Sequence, residues 1–494
     1  MLFLGIDLGT SSIKVSIVDA DSQQCVCSVQ YPDIETPIIS KRTGWAEQSP
    51  EGWWHNVQQA ILRANSLKKY NPHDIAAIGI AYQMHGLVIV NKDQQVLRDA
   101  IIWCDSRAVP IGEKAFHEIG AERSLSHLLN SPGNFTASKL AWVMENEPQI
   151  YEQVDKVMLP GDFIAMKLTG EITTSVSALS EGIFWDFKNE ELSKDVFSYY
   201  GFDQNNMPGI RPVFSAHGYV TNSVADLLSL KAGTPVSYKA GDQPNNALSL
   251  NVLEPGEVAA TAGTSGVIYG VSDQLTYDPQ SRVNTFAHVN YAPDKKRVGV
   301  LLCINGTGIL NRWIKNIISP GMEYAQLNNE AKDVRAGCDG LRILPFGNGT
   351  ERMLSNKLTG AQFHNIDLNI HTQQHIFRAA QEGIAYSFRY GLDIMRENGM
   401  NPKLIRAGKA NMFLSPVFAE VFTNITGCIV ELYNTDGSVG AARGAGLGTG
   451  YYKNARQAFD RMEKLAVLEP AKEKQSLYEG FYESWRAALK KAIK

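Results

Sequence analysis

The turn Asp7-Leu8-Gly9-Thr10-Ser11-Ser12 sets a carboxylate beside glycine and small hydroxyl residues. Exposed backbone N–H groups in such a turn form a nest for an anion. A carboxylate next to that nest repels phosphate unless a cation such as Mg2+ sits between them. A second turn of the same kind lies halfway along the chain. Residues 6–19 (IDLGTSSIKVSIVD) and 260–273 (ATAGTSGVIYGVSD) align without a gap. Gly9, Thr10, Ser11 and Asp19 recur as Gly263, Thr264, Ser265 and Asp273, and Ile13 and Ile17 are matched by Val267 and Val271. Asp7, however, corresponds to Thr261. One turn therefore carries a carboxylate and the other does not, as expected if both contact phosphate and one holds a cation. Two purely structural hairpins would leave the same pattern.

Such turns need strands on either side. Residues 2–6 and 13–18 read as two short β segments flanking the first turn, whose glycine and hydroxyl residues suit a tight polar hairpin. Further on, Ser49 is a candidate N-cap with Pro50 at the first helical position. Trp53, Val57, Ala60, Ile61 and Ala64 follow it at helical spacing. Residues 75–81 (IAAIGIA) form a buried-type strand that leads through Tyr82-Gln83-Met84-His85-Gly86 into another, LVIV. Helices are expected around 136–146 and 161–168. Strands alternating with helices predict an α/β protein. The repeat, restarting after Pro255-Gly256, predicts two related halves facing each other across a cleft, where small ligands usually bind.

Composition excludes several classes. The 494 residues carry 47 Lys plus Arg against 51 Asp plus Glu, a net charge of −4, so there is no basic footprint for nucleic acid or an anionic membrane. No apolar run approaches the ~18 residues of a membrane span, and Asp7 interrupts the N-terminal apolar run too early for a signal peptide. Cys25 and Cys27 alternate on one strand face, and none of the six cysteines has CxxC spacing. Free thiols in a reducing cytoplasm are the expectation.

Several motifs, in order along nearly the whole chain, resemble those of the FGGY carbohydrate kinases, and within them the xylulose-phosphorylating group. GIDLGTSSIK looks like the family's first phosphate turn, GWAEQSPEGWW resembles its GWxEQxPxxWW segment, and IGIAYQMHG resembles IGIxGQMHG. IIWCDSRA is similar to WxDxRA. NFTASKLAWV resembles the first FGGY signature, with Asn134 where Gly or an aromatic is usual, and Phe363, Ala380 and Glu382 fall in a looser likeness of the second. The resemblance implies two ribonuclease-H-like (actin-type ATPase) domains with an interdomain cleft, here 1–248 for sugar and 254–494 for nucleotide. It implies ATP-dependent phosphorylation of a small-molecule sugar with Mg2+; family members include dimers, so a homodimer is one expectation that no heptad or apolar strip here decides.

The same resemblance assigns roles. Asp242, in Ala240-Gly241-Asp242-Gln243, becomes the general base that accepts the proton of an attacking sugar hydroxyl. Asp7 becomes the metal-side carboxylate. Gln83, Met84, His85, Trp103 and Gln243 would contact sugar alongside Asp242, with Asp105 and Arg107 either lining the cleft or forming a structural ion pair. Gly9, Thr10, Ser11 and Ser12, with Gly263, Thr264 and Gly308 opposite, would contact nucleotide, and Lys14 is either a further basic contact or a solvated strand residue. The chain departs from the family at 406–412 (RAGKANM), where a glycine triplet is usual, leaving Gly408 and Asn411 as nucleotide contacts in an ambiguous register. It departs again at FGNGTERM, where Glu351 and Arg352 keep the charges of the usual segment but its proline is missing. Other readings of the whole are a kinase for ribulose, gluconate, fuculose or glycerol, an actin-like ATPase module, or a non-catalytic sugar sensor.

Overall fold

A computed structural model describes residues 1–494. The first half is built on strands β1 (Leu2–Leu8), β2 (Ile13–Asp19) and β3 (Cys25–Tyr31), helix α1 (Pro50–Ser66) and strand β4 (Ile75–Tyr82). Helix α2 (Val176–Glu181), strand β5 (Val236–Gly241) and helix α3 (Asp242–Ser249) complete it. The sheet order is β5-β4-β1-β2-β3, with β1 antiparallel to β2 and parallel to β4. Apolar residues fill the buried side of each strand, and α1 covers them with Trp53, Val57, Ala60, Ile61 and Ala64. The Ser49 side chain accepts from Gly52 N–H and starts that helix, as the Ser-Pro pair predicts. Helices at Thr136–Asn146 and Pro160–Thr169 lie within a residue of their expected ranges.

The second half repeats the plan. Strands β6 (Glu257–Ala262), β7 (Gly266–Ser272), β8 (Asn284–Ala287) and β9 (Val298–Ile304) precede helix α4 (Gly308–Ile318). Strands β10 (Leu404–Gly408) and β11 (Ile429–Tyr433), helix α5 (Gly437–Gly448) and strand β12 (Lys464–Leu468) follow. The order is β8-β9-β7-β6-β10-β11-β12. Its central five strands, β9-β7-β6-β10-β11, reproduce β3-β2-β1-β4-β5 in order and direction. The hairpin echo is therefore a whole-domain repeat of the ribonuclease-H-like, actin-type kind. In each half the fifth strand runs straight into a helix headed by an acid, Asp242 on α3 and the N-cap Asp436 on α5.

Helix α5 belongs to the second half by sequence yet packs on the first sheet, against β1, β4 and β5. Glycines permit the approach: a Cβ on Gly5 would lie 1.8 Å from the Ser438 carbonyl oxygen, and one on Gly79 would lie 1.9 Å from that of Ala441. A shared apolar core joins Phe3, Ala77 and Tyr238 to Val439, Ala441 and Ala445. All six cysteines are unpaired. Cys25 and Cys27 differ from the same-face expectation in burial, one exposed and one buried, because the register of β2 and β3 shifts by a residue between Ile17 and Val18. No helix is long and apolar enough to cross a membrane.

Candidate active site

The two glycine turns and the two acid-headed helices meet at the cleft. In the first turn, Gly9 N–H donates to the Ser12 carbonyl at 3.1 Å, closing the β1–β2 hairpin. Thr10 is pinned from three sides. Its hydroxyl donates to Gln83 Oε1 at 3.0 Å and accepts from Trp103 Nε1 at 2.9 Å, and its carbonyl accepts from Gln48 Nε2 at 2.8 Å. Gln48 Oε1 also accepts from Trp53 Nε1 and from Gln83 Nε2. Gln48 therefore ties the phosphate-type turn to the Gln83-Met84-His85 segment, a role that its residue type alone does not announce. Gln83, expected at the sugar, is 2 % exposed with both ends of its amide engaged in this network. Ser11 is exposed and Ser12 partly so.

Trp103 is half exposed and stands over the first turn. Asp105 and Arg107 form a buried ion pair instead of lining the cleft. Asp105 accepts from Ala46 N–H at 2.6 Å, and Arg107 reaches Glu47 at 2.8 Å while stacking on Trp45. Their work is to hold the 44–48 segment under the site.

The carboxylates converge. Asp242 is the first residue of α3, and Gln243 follows it, both partly exposed. Burial, with the Asp7 carboxylate adding to it, pushes the Asp242 carboxyl up to about 7. Burial and then Asp436 push Asp7 up to about 6, against the opposing charge of Lys14. Lys14 itself pairs with Asp436 across the two halves. The Asp7 side chain rests on the backbone of Gly437, beside Asn246, and Asn245 Nδ2 donates to the Gly437 carbonyl at 2.8 Å, locking α3 to α5.

No group of three or more His, Cys, Asp or Glu side chains is gathered for a metal ion. Mg2+ does not need one. It takes one or two carboxylates and completes its shell with water and phosphate oxygens. Asp7 and Asp242, close enough that the charge of Asp7 raises the Asp242 pKa, suit that mode of binding.

The second turn is organised by α4. Gly308 N–H donates to the Gly263 carbonyl and Ile309 N–H to that of Thr264, both at 3.0 Å. Gly263, Thr264, Gly308, Asn411, Tyr324 and Arg312 border a cavity of about 290 Å3. A neighbouring cavity of about 190 Å3, between the halves, is bordered by Gly408, Asn411, Asp436 and Gly437. Both cavities touch the 406–412 segment. Gly408 ends β10, and Asn411 adopts φ 52°, with its amide nitrogen 3.5 Å from a Cβ built on Gly263. Asparagine tolerates that left-handed backbone better than most residues. Glu351 is fully buried and accepts from Asn305 and Gly306 N–H, holding the loop that enters α4.

Near Asp242, Met84 packs behind Gly241, and His85 touches the rings of Phe135 and Phe286, the latter from the second half. Lys139 Nζ donates to the His85 carbonyl at 2.8 Å. Glu181, for which the sequence carries no signal, contacts both Tyr82 and His85. Asp436 was missed as well, although its place at the end of the fifth strand mirrors that of Asp242.

Residues 2–249 match the N-terminal domain of the FGGY family of carbohydrate kinases, and residues 258–447 match its C-terminal domain. The chain is 26% identical to a xylulose kinase of Bacillus subtilis (strain 168), over 98% of this chain and 95% of that one. Among solved structures, a xylulose kinase from Rhodospirillum rubrum shares the fold with a TM-score of 0.88 at 24% identity, covering 99% of this chain and 98% of the other. A gluconate kinase from Lactobacillus acidophilus shares it at 0.89 and 20%, covering 100% and 98%. The repeated fold, the paired turns and both domain matches lead to one assignment: the chain belongs to the FGGY family of carbohydrate kinases.

Proposed function

We propose that the protein transfers the γ-phosphoryl group of ATP to the 5-hydroxyl of D-xylulose, with residues 1–248 supplying the sugar side and 254–494 the nucleotide side. The observation that carries this reading is Asp242 at the head of α3, where β5 ends in the same sheet that carries Asp7, with a carboxyl pushed up to about 7. A base whose pKa lies near the working pH is suited to accepting a hydroxyl proton. Asp242 takes that proton as the sugar oxygen bonds to the γ-phosphorus. The bond from that phosphorus to the bridging oxygen breaks, and ADP leaves with the electron pair. Asp7 would hold Mg2+ when bound, and that ion would neutralise charge on the phosphates. The turns at 9–12 and 263–264 offer backbone N–H groups to the phosphates, and Gly308, Gly408 and Asn411 border the nucleotide. Met84, His85, Trp103 and Gln243 face the sugar, with Gln83 acting through Thr10. Positioning and charge neutralisation supply most of the rate in a phosphoryl transfer.

The xylulose kinases among the relatives support the choice of sugar. A second reading, another polyol or sugar acid, draws on the structural likeness to a gluconate kinase. A coupled ADP-release assay with MgATP and D-xylulose, L-ribulose, D-gluconate, L-fuculose, glycerol or no sugar tests both. Stimulation by D-xylulose above all others is expected. Stimulation by a different compound moves the substrate while keeping the mechanism, and no stimulation by any of them overturns the reading.

A further inference from the structure

His85 sits in the left-handed backbone region, at φ 62°. A non-glycine residue keeps that conformation only where its surroundings impose it. Here Glu181 Oε2 accepts from His85 N–H at 3.3 Å while Lys139 holds the carbonyl. The His85 ring is held by the same partner. Its Nδ1 lies 3.0 Å from the main-chain carbonyl oxygen of Glu181, and a carbonyl can only accept, so Nδ1 carries the hydrogen. Burial, reinforced by the charge of Lys139, pushes the imidazole down to about 3. The ring is therefore neutral and Nε2 is bare.

Glu181 is itself anchored. It is 1 % exposed, and its Oε1 accepts from the Tyr82 hydroxyl at 2.6 Å. A Cβ on Gly241, the residue before Asp242, would lie 3.3 Å from both of its carboxyl oxygens. Burial drives this carboxyl well above the usual range, and the nearby Asp242 adds to the effect.

We infer that Glu181 is the positioning residue for His85: its carboxyl and its main-chain carbonyl together hold the imidazole so that a bare Nε2 faces the cleft and accepts a hydrogen bond from a sugar hydroxyl. The inference deepens the sugar-kinase reading and rests on it. It also sets a specificity rule. The substrate atom opposite Nε2 must be a donor, so a deoxy or fluoro sugar at that carbon is rejected, as sites built to hydrogen-bond a hydroxyl reject analogues that lack it.

The test uses the full-length chain with Glu181→Gln, Glu181→Ala, His85→Ala and the Glu181→Ala/His85→Ala double variant. KM for D-xylulose, KM for ATP and kcat are measured for each. Glutamine retains an oxygen that can accept from His85 N–H, so Glu181→Gln should stay within about 3-fold of wild type in every constant. Glu181→Ala should raise the sugar KM about 10-fold or more with the ATP KM unchanged, and should add little on top of His85→Ala. Equal damage from Gln and Ala, an unchanged sugar KM in Glu181→Ala, or independent losses in the double variant would each overturn the inference. The tautomer gives a readout free of turnover. In the sugar-free wild-type protein with 15N-labelled histidine, assigned through His85→Gln, long-range 15N–1H correlations should show the Nδ1–H form, and an Nε2–H form overturns the inference even if the alanine variants fail to fold. Failure of wild type to phosphorylate any sugar would instead sink the functional reading, leaving the tautomer result to stand or fall by itself.

Discussion

The Asp7 carboxylate lies against Gly437 so closely that a Cβ there would stand 2.2 Å from Asp7 Oδ2 and 2.8 Å from its Cγ. Asp7 is the penultimate residue of the first strand of the first half, and Gly437 opens a helix that the chain makes last among those lining the cleft. Any side chain at 437 must therefore displace the Asp7 carboxylate. Gly437→Ala should lower kcat/KM for ATP at least ~10-fold, since misplacement at a phosphoryl-transfer centre is expensive. Gly448→Ala is the control. It is just as tight, 1.8 Å from the Ser237 carbonyl oxygen, but sits at the far end of the same helix. It should lower the melting temperature while the folded fraction keeps its specific activity. Equal activity losses per folded molecule in the two variants would show that Gly437 matters only for packing.

Asp242→Asn removes the proposed base while keeping its size. We expect kcat to fall by about 10²–10⁴ with ATP affinity largely retained. Turnover near wild type would remove Asp242 from the mechanism.

The same residue fixes the sign of a pH dependence. Only the ionised carboxylate can take a proton, and burial with Asp7 holds the Asp242 pKa at about 7. Turnover should therefore decline as pH drops below about 7 and level off above it. The effect on stability runs the other way. Between the ordinary aspartate value of ~3.9 and about 7, the folded chain keeps a proton that the unfolded chain has released, so Asp242 costs stability increasingly as pH rises through that window. A cation favours the ionised form, so saturating Mg2+ should move the acid limb of kcat/KM to lower pH than limiting Mg2+ does. A limb near pH 4 at both Mg2+ levels would contradict this account.

Much of this site is legible in the sequence where the physics is local. The β1–β2 hairpin and its β6–β7 echo follow from a glycine turn between apolar strands, and α1 starts where Ser49 and Pro50 say it should. The small residues of 437–448 announce close packing, but nothing in them names the sheet of the other half as the surface they meet. Gln83 illustrates the opposite limit. Its type suits a sugar contact, whereas Thr10 and Gln48, distant in sequence, occupy both ends of its amide. Glu181 gives no local signal at all, because its partners Tyr82, His85 and Gly241 come together only when three separate segments fold.

The last relationship is a side chain that imitates a strand. Strand β8 is the edge of the second sheet, and Asn130 of the first half pairs with it as another strand would: Nδ2 donates to the Thr285 carbonyl at 2.6 Å and Oδ1 accepts from Thr285 N–H at 3.0 Å. Ser177 and Ser180 of α2 do the same for Ala287 one step along, at 2.8 Å and 2.9 Å. Asn130 and Thr285 are both buried, at 2 % and 1 % exposure. Asn130→Ala leaves one backbone donor and one backbone acceptor without a partner. At about 1–3 kcal/mol for each stranded group, the loss should reach ~2–6 kcal/mol in a urea titration. Asn130→Asp keeps the acceptor but points a second oxygen at the Thr285 carbonyl, so it should be at least as damaging as alanine. The bared edge should also make the alanine variant more prone to aggregate on partial unfolding, because an unpaired edge strand is a template for another chain. A change below about 0.5 kcal/mol in either variant would mean that water replaces Asn130 at no cost, and that the two halves are held at this edge by Ser177, Ser180 and the apolar contacts around Phe286.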